Sequence, residues 1–148
     1  MTLNSKDITQ GTEATATNLK EKWAETLSFY DQLISECNSL RPISILVKYI
    51  IEKGYNNYYF PGTSLFSLLI SLPIDNKVNY SKTLKVEIDQ LRNIVKFDYR
   101  DLTGLNRDST TDLEKSLKWS DTCQYTECCD TLDHFISINE DWLAKTKK

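Results

Sequence analysis

The sequence predicts a small α+β domain in which helices pack on an antiparallel sheet. Apolar residues recur every three or four positions in two segments before residue 54 and again near the C-terminus, as in amphipathic helices. Between these segments, short runs alternate apolar and polar residues, as in strands. We therefore expect two N-terminal helices, a small antiparallel sheet of three or four strands, and C-terminal helices packed on one domain core.

The composition excludes several classes of protein. With 148 residues, 40% of them hydrophobic and 11% aromatic, the chain is long enough to bury a core and too apolar for a disordered protein. Residues 1–17 are polar and lack periodicity, so we expect a mobile arm there and a single α+β domain over residues 18–148. The four cysteines are too few for a disulfide scaffold and lack the spacing of a redox pair or a zinc set, so we expect reduced thiols. They are Cys37, Cys123, Cys128 and Cys129.

The charge distribution argues against a nucleic-acid partner. The formal net charge is −3, and Lys and Arg are spread along the chain rather than gathered into the basic stripe that nucleic-acid binding requires. No apolar segment follows Met1, and the apolar run over residues 65–72 is too short to span a bilayer. We therefore expect a cytoplasmic protein that binds neither nucleic acid nor membrane.

Two helices are predicted in the first third of the chain. Asn18 and Glu21 form a capping-box pattern that starts the first helix. Pro42 ends the first helix and suits the first residue of the second, which is apolar on most sides and which Gly54 ends as a C-cap. The apolar stripe of the first helix comprises Leu19, Trp23, Leu27, Tyr30, Ile34 and Cys37.

The middle of the chain is predicted to form the sheet. After a turn at Pro61 and Gly62, residues 64–72 are apolar on both alternating faces, which is typical of a strand covered on both sides. Residues 83–89 and 94–100 predict a hairpin.

The charges of this hairpin indicate its register. With Ile88 opposite Val95, the outer face pairs opposite charges, whereas a slip of two residues places like charges opposite each other. The favoured pairs are Lys85 with Asp98 and Glu87 with Lys96. The connection over residues 90–93 lacks a favoured two-residue turn, so we expect a looser loop.

The C-terminal third predicts a short helix and then a long one. Thr111 and Glu114 form one capping-box pattern, and Asp121 and Gln124 form another. The chain from Asp121 to Asp141 contains six acidic residues and no Lys or Arg. A helical wheel for this segment opposes an apolar arc to an acidic face. That face comprises Glu127, Asp130, Asp133, His134, Glu140 and Asp141.

The sequence favours a binding protein over an enzyme. The four glycines are isolated, so no phosphate-binding loop is present, and we expect no cofactor. On a continuous helix, Cys128 lies about 120° from His134 and Cys123 about 16 Å from it along the axis, too far for a nucleophile and its base. His134 has neighbouring carboxylates but no third or fourth ligand in sequence, so we expect no metal site.

The leading hypothesis is a small acidic interaction domain that binds another protein, and charge complementarity favours a basic partner. An inhibitor or an immunity-type antitoxin of a basic toxin is one concrete version. The open edge of a small sheet is compatible with a monomer or a homodimer. The expected partner-binding residues are Glu127, Asp130, Asp133 and His134 on the acidic face, with Tyr58 and Tyr59 from an aromatic segment.

Two alternatives use other residues. The first is a small carboxylate-based enzyme with a site beside the hairpin of residues 83–101, formed by Asp98, Arg100 and Asp101. The second is a small-ligand binding module that uses the aromatic segment from Tyr55 to Phe60.

Overall fold

The computed structural model describes residues 15–106 and 108–147, and this part of the chain folds as the predicted α+β class. Its α-helices are α1 (Ala16–Leu33), α2 (Arg41–Lys53), α3 (Thr110–Ser116), α4 (Cys128–Ile138) and α5 (Glu140–Lys145). Its strands are β1 (Phe60–Ser64), β2 (Ser67–Ser71), β3 (Lys82–Asp89), β4 (Ile94–Asp101) and β5 (Leu117–Gln124). The strands form one antiparallel sheet in chain order, with five strands where three or four were expected.

Helix α1 begins three residues earlier than the capping-box pattern predicts. Thr15 is the N-cap, because its side-chain oxygen accepts a hydrogen bond from the backbone N–H of Asn18 at 3.2 Å. Ala16 and Thr17 therefore belong to the helix and not to the predicted arm. The rest of that arm, residues 1–14, lies outside the described residues.

The single strand predicted over residues 64–72 is wrong, because the chain reverses direction within it. Leu65 and Phe66 connect β1 to β2, and Leu65 has a left-handed backbone with φ of 57° and is 90% exposed. Leu65 and Phe66 are apolar and lack the Gly, Pro, Asn or Asp that usually marks a turn. Their sequence therefore looks like part of a strand that is apolar on both faces. The predicted turn at Pro61 and Gly62 lies instead in the edge strand β1, a position where proline is tolerated.

The predicted hairpin register is confirmed. Ile88 pairs with Val95, and Lys85 pairs with Asp98, with residues 90–93 as the connection. Both predicted pairs of opposite charges lie opposite each other in the sheet, but the ion pair that forms runs along β3, where Lys85 Nζ lies 3.7 Å from Glu87 Oε1.

The long C-terminal helix is wrong in its first part. Residues 117–124 form the edge strand β5, so Asp121 lies on a strand, and a turn at Tyr125–Glu127 leads into α4. In β5, Trp119 lies opposite Tyr99 and Cys123 opposite Val95, so alternate residues contribute to the core. The apolar residues of this segment fit both the spacing of a helix and the alternation of a strand. Pairing with β4 stabilises the strand.

A chain of hydrogen bonds links the core aromatics across the fold. Trp23 Nε1 on α1 donates to the backbone carbonyl of Tyr59 at 2.8 Å, and the Tyr59 hydroxyl donates to the carbonyl of Trp142 at 2.8 Å. Trp142 Nε1 in turn donates to the Tyr99 hydroxyl on β4 at 3.2 Å. These bonds satisfy the buried polar atoms of the aromatic core and join its helices to the inner face of the sheet. Within the described residues, no helix is both long and apolar enough to cross a membrane.

Candidate functional site

The predicted acidic face is reduced to three exposed side chains around α4. Glu127 lies at the end of the preceding turn, Asp130 in the first turn of α4, and His134 one turn further along. Because α4 begins only at Cys128, Glu127 is held by the turn, where its carboxylate accepts the backbone N–H of Gln124 at 2.9 Å.

The two acidic residues at the C-terminal end lie on a separate helix. Glu140 and Asp141 are exposed in the first turn of α5, after the break at Asn139. Asp141 Oδ2 forms an ion pair with Lys82 Nζ at 2.7 Å. The acidic surface is therefore shorter than one continuous helix would make it.

Asp133 is bonded to neighbouring elements and is not a free carboxylate on the acidic face. Its carboxylate accepts hydrogen bonds from the hydroxyls of Tyr49 on α2 and of Tyr55 in the turn that follows, the latter at 2.7 Å. Burial, reinforced by these bonds to a carboxylate, raises the pKa of both tyrosines well above its ordinary value. Both hydroxyls therefore stay protonated as donors near neutral pH.

The aromatic segment closes the end of the core. Tyr59 is 1% exposed and its ring lies 4.8 Å from that of Trp142, while Phe60 is also buried. Tyr58 is half-buried with its ring 6.2 Å from that of Tyr59. Of the two tyrosines expected to contact a partner, only Tyr58 has a partly accessible side chain.

A groove of about 470 Å³ lies between the start of α2 and the start of α4. We name it the Ile45 groove, because the side chain of Ile45 is 51% exposed in its wall. Its lining is mostly apolar. The lining residues are Asn38, Ser39, Arg41, Pro42 and Ile45 on one side, and Tyr125, Thr126, Cys128 and Cys129 on the other.

The sequence of α2 explains why Ile45 is exposed. Ile43, Leu46, Val47 and Ile50 are spaced by three or four residues and are all buried against the core. Ile45 falls off this stripe, so the helix presents it to solvent. Pro42, predicted as the first residue of α2, is its second residue after Arg41 and is buried beside Ile45 in the groove.

The cysteines of the groove act as apolar wall. Burial raises the pKa of the Cys128 thiol well above its ordinary value, and burial together with the carboxylates of Asp133 and Asp130 raises that of Cys129. Burial also raises the pKa of Cys123. A thiol with a raised pKa stays protonated near neutral pH and is a poor nucleophile.

Charged residues lie in the lining of the groove or next to it in sequence. Glu127 and Asp130 flank the two cysteines in sequence, and both carboxylates are exposed. On the α2 side, the exposed Arg41 donates two hydrogen bonds from its guanidinium to Asn38 Oδ1, at 2.9 and 3.1 Å. The groove therefore combines a mostly apolar lining with Arg41 on the α2 side and with two exposed carboxylates next in sequence to the cysteines on the α4 side.

The residues of the proposed enzyme site lie on different faces of the sheet. Asp98 and Arg100 share the outer face, where they line a cavity of about 200 Å³. Asp101 lies on the other side of β4, 4.0 Å from Lys82 Nζ, and accepts the backbone N–H of Thr103 at 2.9 Å. Alternation along a strand separates neighbours in this way, so only two of the three residues meet.

Over residues 15–106 and 108–147, no group of three or more His, Cys, Asp or Glu side chains is placed to hold a metal ion. His134 is exposed on α4, whereas Cys123 lies on β5. The helical spacing considered between these two residues therefore does not apply.

Two features of the site were missed in the sequence. The Ile45 groove has a local signal, an isoleucine off the buried stripe of its helix. The contact of Asp133 with Tyr49 has no local signal, because 84 positions separate the two residues.

Comparison of the chain with protein-family models, with curated proteins and with solved structures finds no match.

Proposed function

We propose that this chain is a protein-interaction domain whose Ile45 groove receives an apolar side chain from a basic segment of a partner protein. The observation that carries the proposal is a half-exposed isoleucine in a mostly apolar groove, with two exposed carboxylates next in sequence to the cysteines that line it. Grooves of this kind accept amphipathic segments through a few apolar anchors.

The exposed carboxylates near the groove indicate that the partner segment is basic. Glu127 and Asp130 are exposed beside the groove, and the net charge of the chain is −3. Lys or Arg next to the anchor would complement these carboxylates, which orients association and raises its rate. Inhibition of a basic partner, as by an antitoxin, is one form of this function.

The proposal uses fewer of the residues that the sequence suggested as partner contacts. Asp133 is committed to two tyrosines and Tyr59 is buried, so the proposed contacts are Ile45, Glu127 and Asp130. His134 lies one turn beyond Asp130 and would lie at the margin of the contact.

The test begins with capture of a stoichiometric partner from source lysate at low and high salt, followed by measurement of Kd with the purified partner. We expect Ile45→Glu to weaken binding by at least about tenfold, because an anchor of an interface commonly contributes about 2 kcal/mol. We expect the double variant Glu127→Lys with Asp130→Lys to slow association and to remove its salt dependence.

The matched controls are substitutions of the same chemistry elsewhere. Leu91→Glu changes an apolar residue that is 98% exposed at the tip of the β3–β4 hairpin. Glu21→Lys with Glu114→Lys reverses two exposed charges on α1 and α3. Equal binding by the groove variants and these controls would contradict the proposal, as would the absence of any stoichiometric partner at low salt.

A further inference from the structure

The outer face of the sheet contains a cavity that a flat, solvated sheet would not form. It has a volume of about 200 Å³. Its lining residues are Leu69, Tyr80, Thr83, Lys85, Asp98, Arg100 and Leu102. The central strands provide the floor, while Tyr80 and Leu102 come from the segments next to β3 and β4 and form walls.

The Tyr80 wall depends on the absence of a side chain at Gly62. A Cβ atom at that position would lie 3.2 Å from Tyr80 Cε1, so the tyrosine ring rests directly over the backbone of β1. The ring also makes an edge contact with Phe60, at 6.0 Å between centroids. Tyr80 therefore has a defined place over the edge of the sheet.

Hydrogen bonds hold both walls in position. The backbone N–H of Leu102 donates to the carbonyl of Ser81 at 2.7 Å, which ties the two walls together. The Thr83 hydroxyl donates to the carbonyl of Tyr80 at 2.7 Å, and Asn79 Oδ1 accepts the N–H of Ser81 at 2.7 Å. The cavity is thus preformed, which lowers the entropic cost of binding.

The floor carries both signs of charge at short range. Lys85 lies directly opposite Asp98, and Arg100 lies two residues further along the same face of β4. Arg100 Nη1 donates to the carbonyl of Leu113 at 2.8 Å and to Ser116 Oγ at 3.1 Å, which anchors the guanidinium. Within the described part of the chain, its Nε and Nη2 donors are left for a ligand.

We propose that this cavity binds a free α-amino acid with an apolar side chain. The ligand carboxylate would face Lys85 and Arg100, and its ammonium group would face Asp98. Leu69, Leu102 and Tyr80 would contact its side chain. A simple anion would leave Asp98 without a partner of opposite charge, and a simple cation would leave the two basic residues without one. A volume of about 200 Å³, below the ~300–1,000 Å³ of drug-sized pockets, suits a single amino acid.

The test is a titration of the full chain with L-leucine, followed by calorimetry and by backbone amide shifts in NMR spectra. Two analogues each lack one charge: L-leucinamide lacks the carboxylate, and 4-methylpentanoate lacks the ammonium group. We expect saturable shifts around Tyr80, Thr83 and Asp98 with L-leucine. We expect each analogue to bind at least about tenfold more weakly than L-leucine, because each lacks one charged hydrogen-bonding group.

Variants distinguish a site that recognises the charges of the ligand from nonspecific binding. We expect Asp98→Asn to weaken L-leucine binding and to leave 4-methylpentanoate the better ligand. The control Lys96→Met changes a charged residue of the same sheet face outside the cavity, and should bind L-leucine as the unaltered chain does. Ile45→Glu should also leave L-leucine binding unchanged, which keeps this test independent of the partner-binding groove.

Three results would overturn the proposal. The first is the absence of saturable shifts at the cavity with L-leucine, L-valine and L-phenylalanine at millimolar concentration. The second is equal binding of L-leucine and its two analogues. The third is equal loss of binding in the Asp98→Asn variant and in the Lys96→Met control, with both of these proteins folded by circular dichroism.

Discussion

At the scale of single residues, Asp133 holds together three parts of the chain. Its carboxylate on α4 accepts hydrogen bonds from Tyr49 on α2 and from Tyr55 in the following turn. Hydrogen bonds to a charged group contribute about 1.5–3 kcal/mol each, and removal of the acceptor leaves two half-buried hydroxyls without it. The same helix exposes Asp130, so two carboxylates one turn apart have different roles.

This difference predicts the cost of removing each carboxylate. We expect Asp133→Ala to lower the free energy of unfolding by about 1–3 kcal/mol, and Asp133→Asn by less, because the amide oxygen still accepts one hydrogen bond. The matched control Asp130→Ala should change it by no more than about 0.5 kcal/mol. Urea denaturation measures all three variants, and equal losses at the two positions would refute the assignment.

At the scale of elements, the loop before β3 and the strand β1 are fitted to each other. Gly62 in β1 has an ordinary extended backbone, and a Cβ atom there would lie 3.2 Å from Cε1 of Tyr80, so an alanine would require the ring to shift. Glycine in a strand otherwise costs about 0.5–1 kcal/mol relative to alanine. Glycine at this position therefore lowers the stability of the strand but leaves room for the Tyr80 ring, which forms a wall of the outer-face cavity.

A double-mutant cycle tests this fit. We expect Gly62→Ala alone to displace Tyr80 and to be neutral or destabilising. In a Tyr80→Ala background, the same change should stabilise the strand by about 0.5–1 kcal/mol. Chemical denaturation of the four proteins gives the coupling energy. Additive effects would show that Tyr80 does not occupy the space over Gly62.

At the scale of the whole molecule, buried tyrosines connect the helices to the sheet. Burial raises the pKa of Tyr99 to about 12 and raises the pKa values of Tyr30 and Tyr59 further. The two candidate surfaces are built on either side of this core. The Ile45 groove lies between helices, and the cavity lies on the outer face of the sheet.

The buried tyrosines predict how stability depends on pH. In the unfolded chain they ionise near their ordinary pKa of 10.0, while in the folded chain they stay protonated to higher pH. The folded state then binds more protons, so its stability is fully present below pH 10 and falls as the pH rises above that value. Denaturation at a series of pH values measures this fall, and tyrosinate absorbance of the folded chain should lag behind that of the unfolded chain. Coincident titration of the two states would contradict the prediction.

The fold class and the register of the central hairpin could be predicted because they depend on neighbouring residues. Apolar spacing identified the buried faces of α1 and α2, and the alternating charges near Lys85 and Asp98 selected one register. The segments of residues 64–72 and 117–124 were assigned incorrectly because their patterns fit two structures. Pairing with distant strands chose between them.

The sequence by itself therefore determined the α+β class, the strand pairing of residues 83–100 and the apolar stripes that form most of the core. Only the tertiary structure decided which charged residues are free at the surface. Asp133 meets Tyr49 from 84 positions away, and Asp141 meets Lys82 from 59 positions away. Local periodicity reports which face of an element is buried. The partners of a polar side chain, and the shape of a groove between two elements, depend on how distant segments pack.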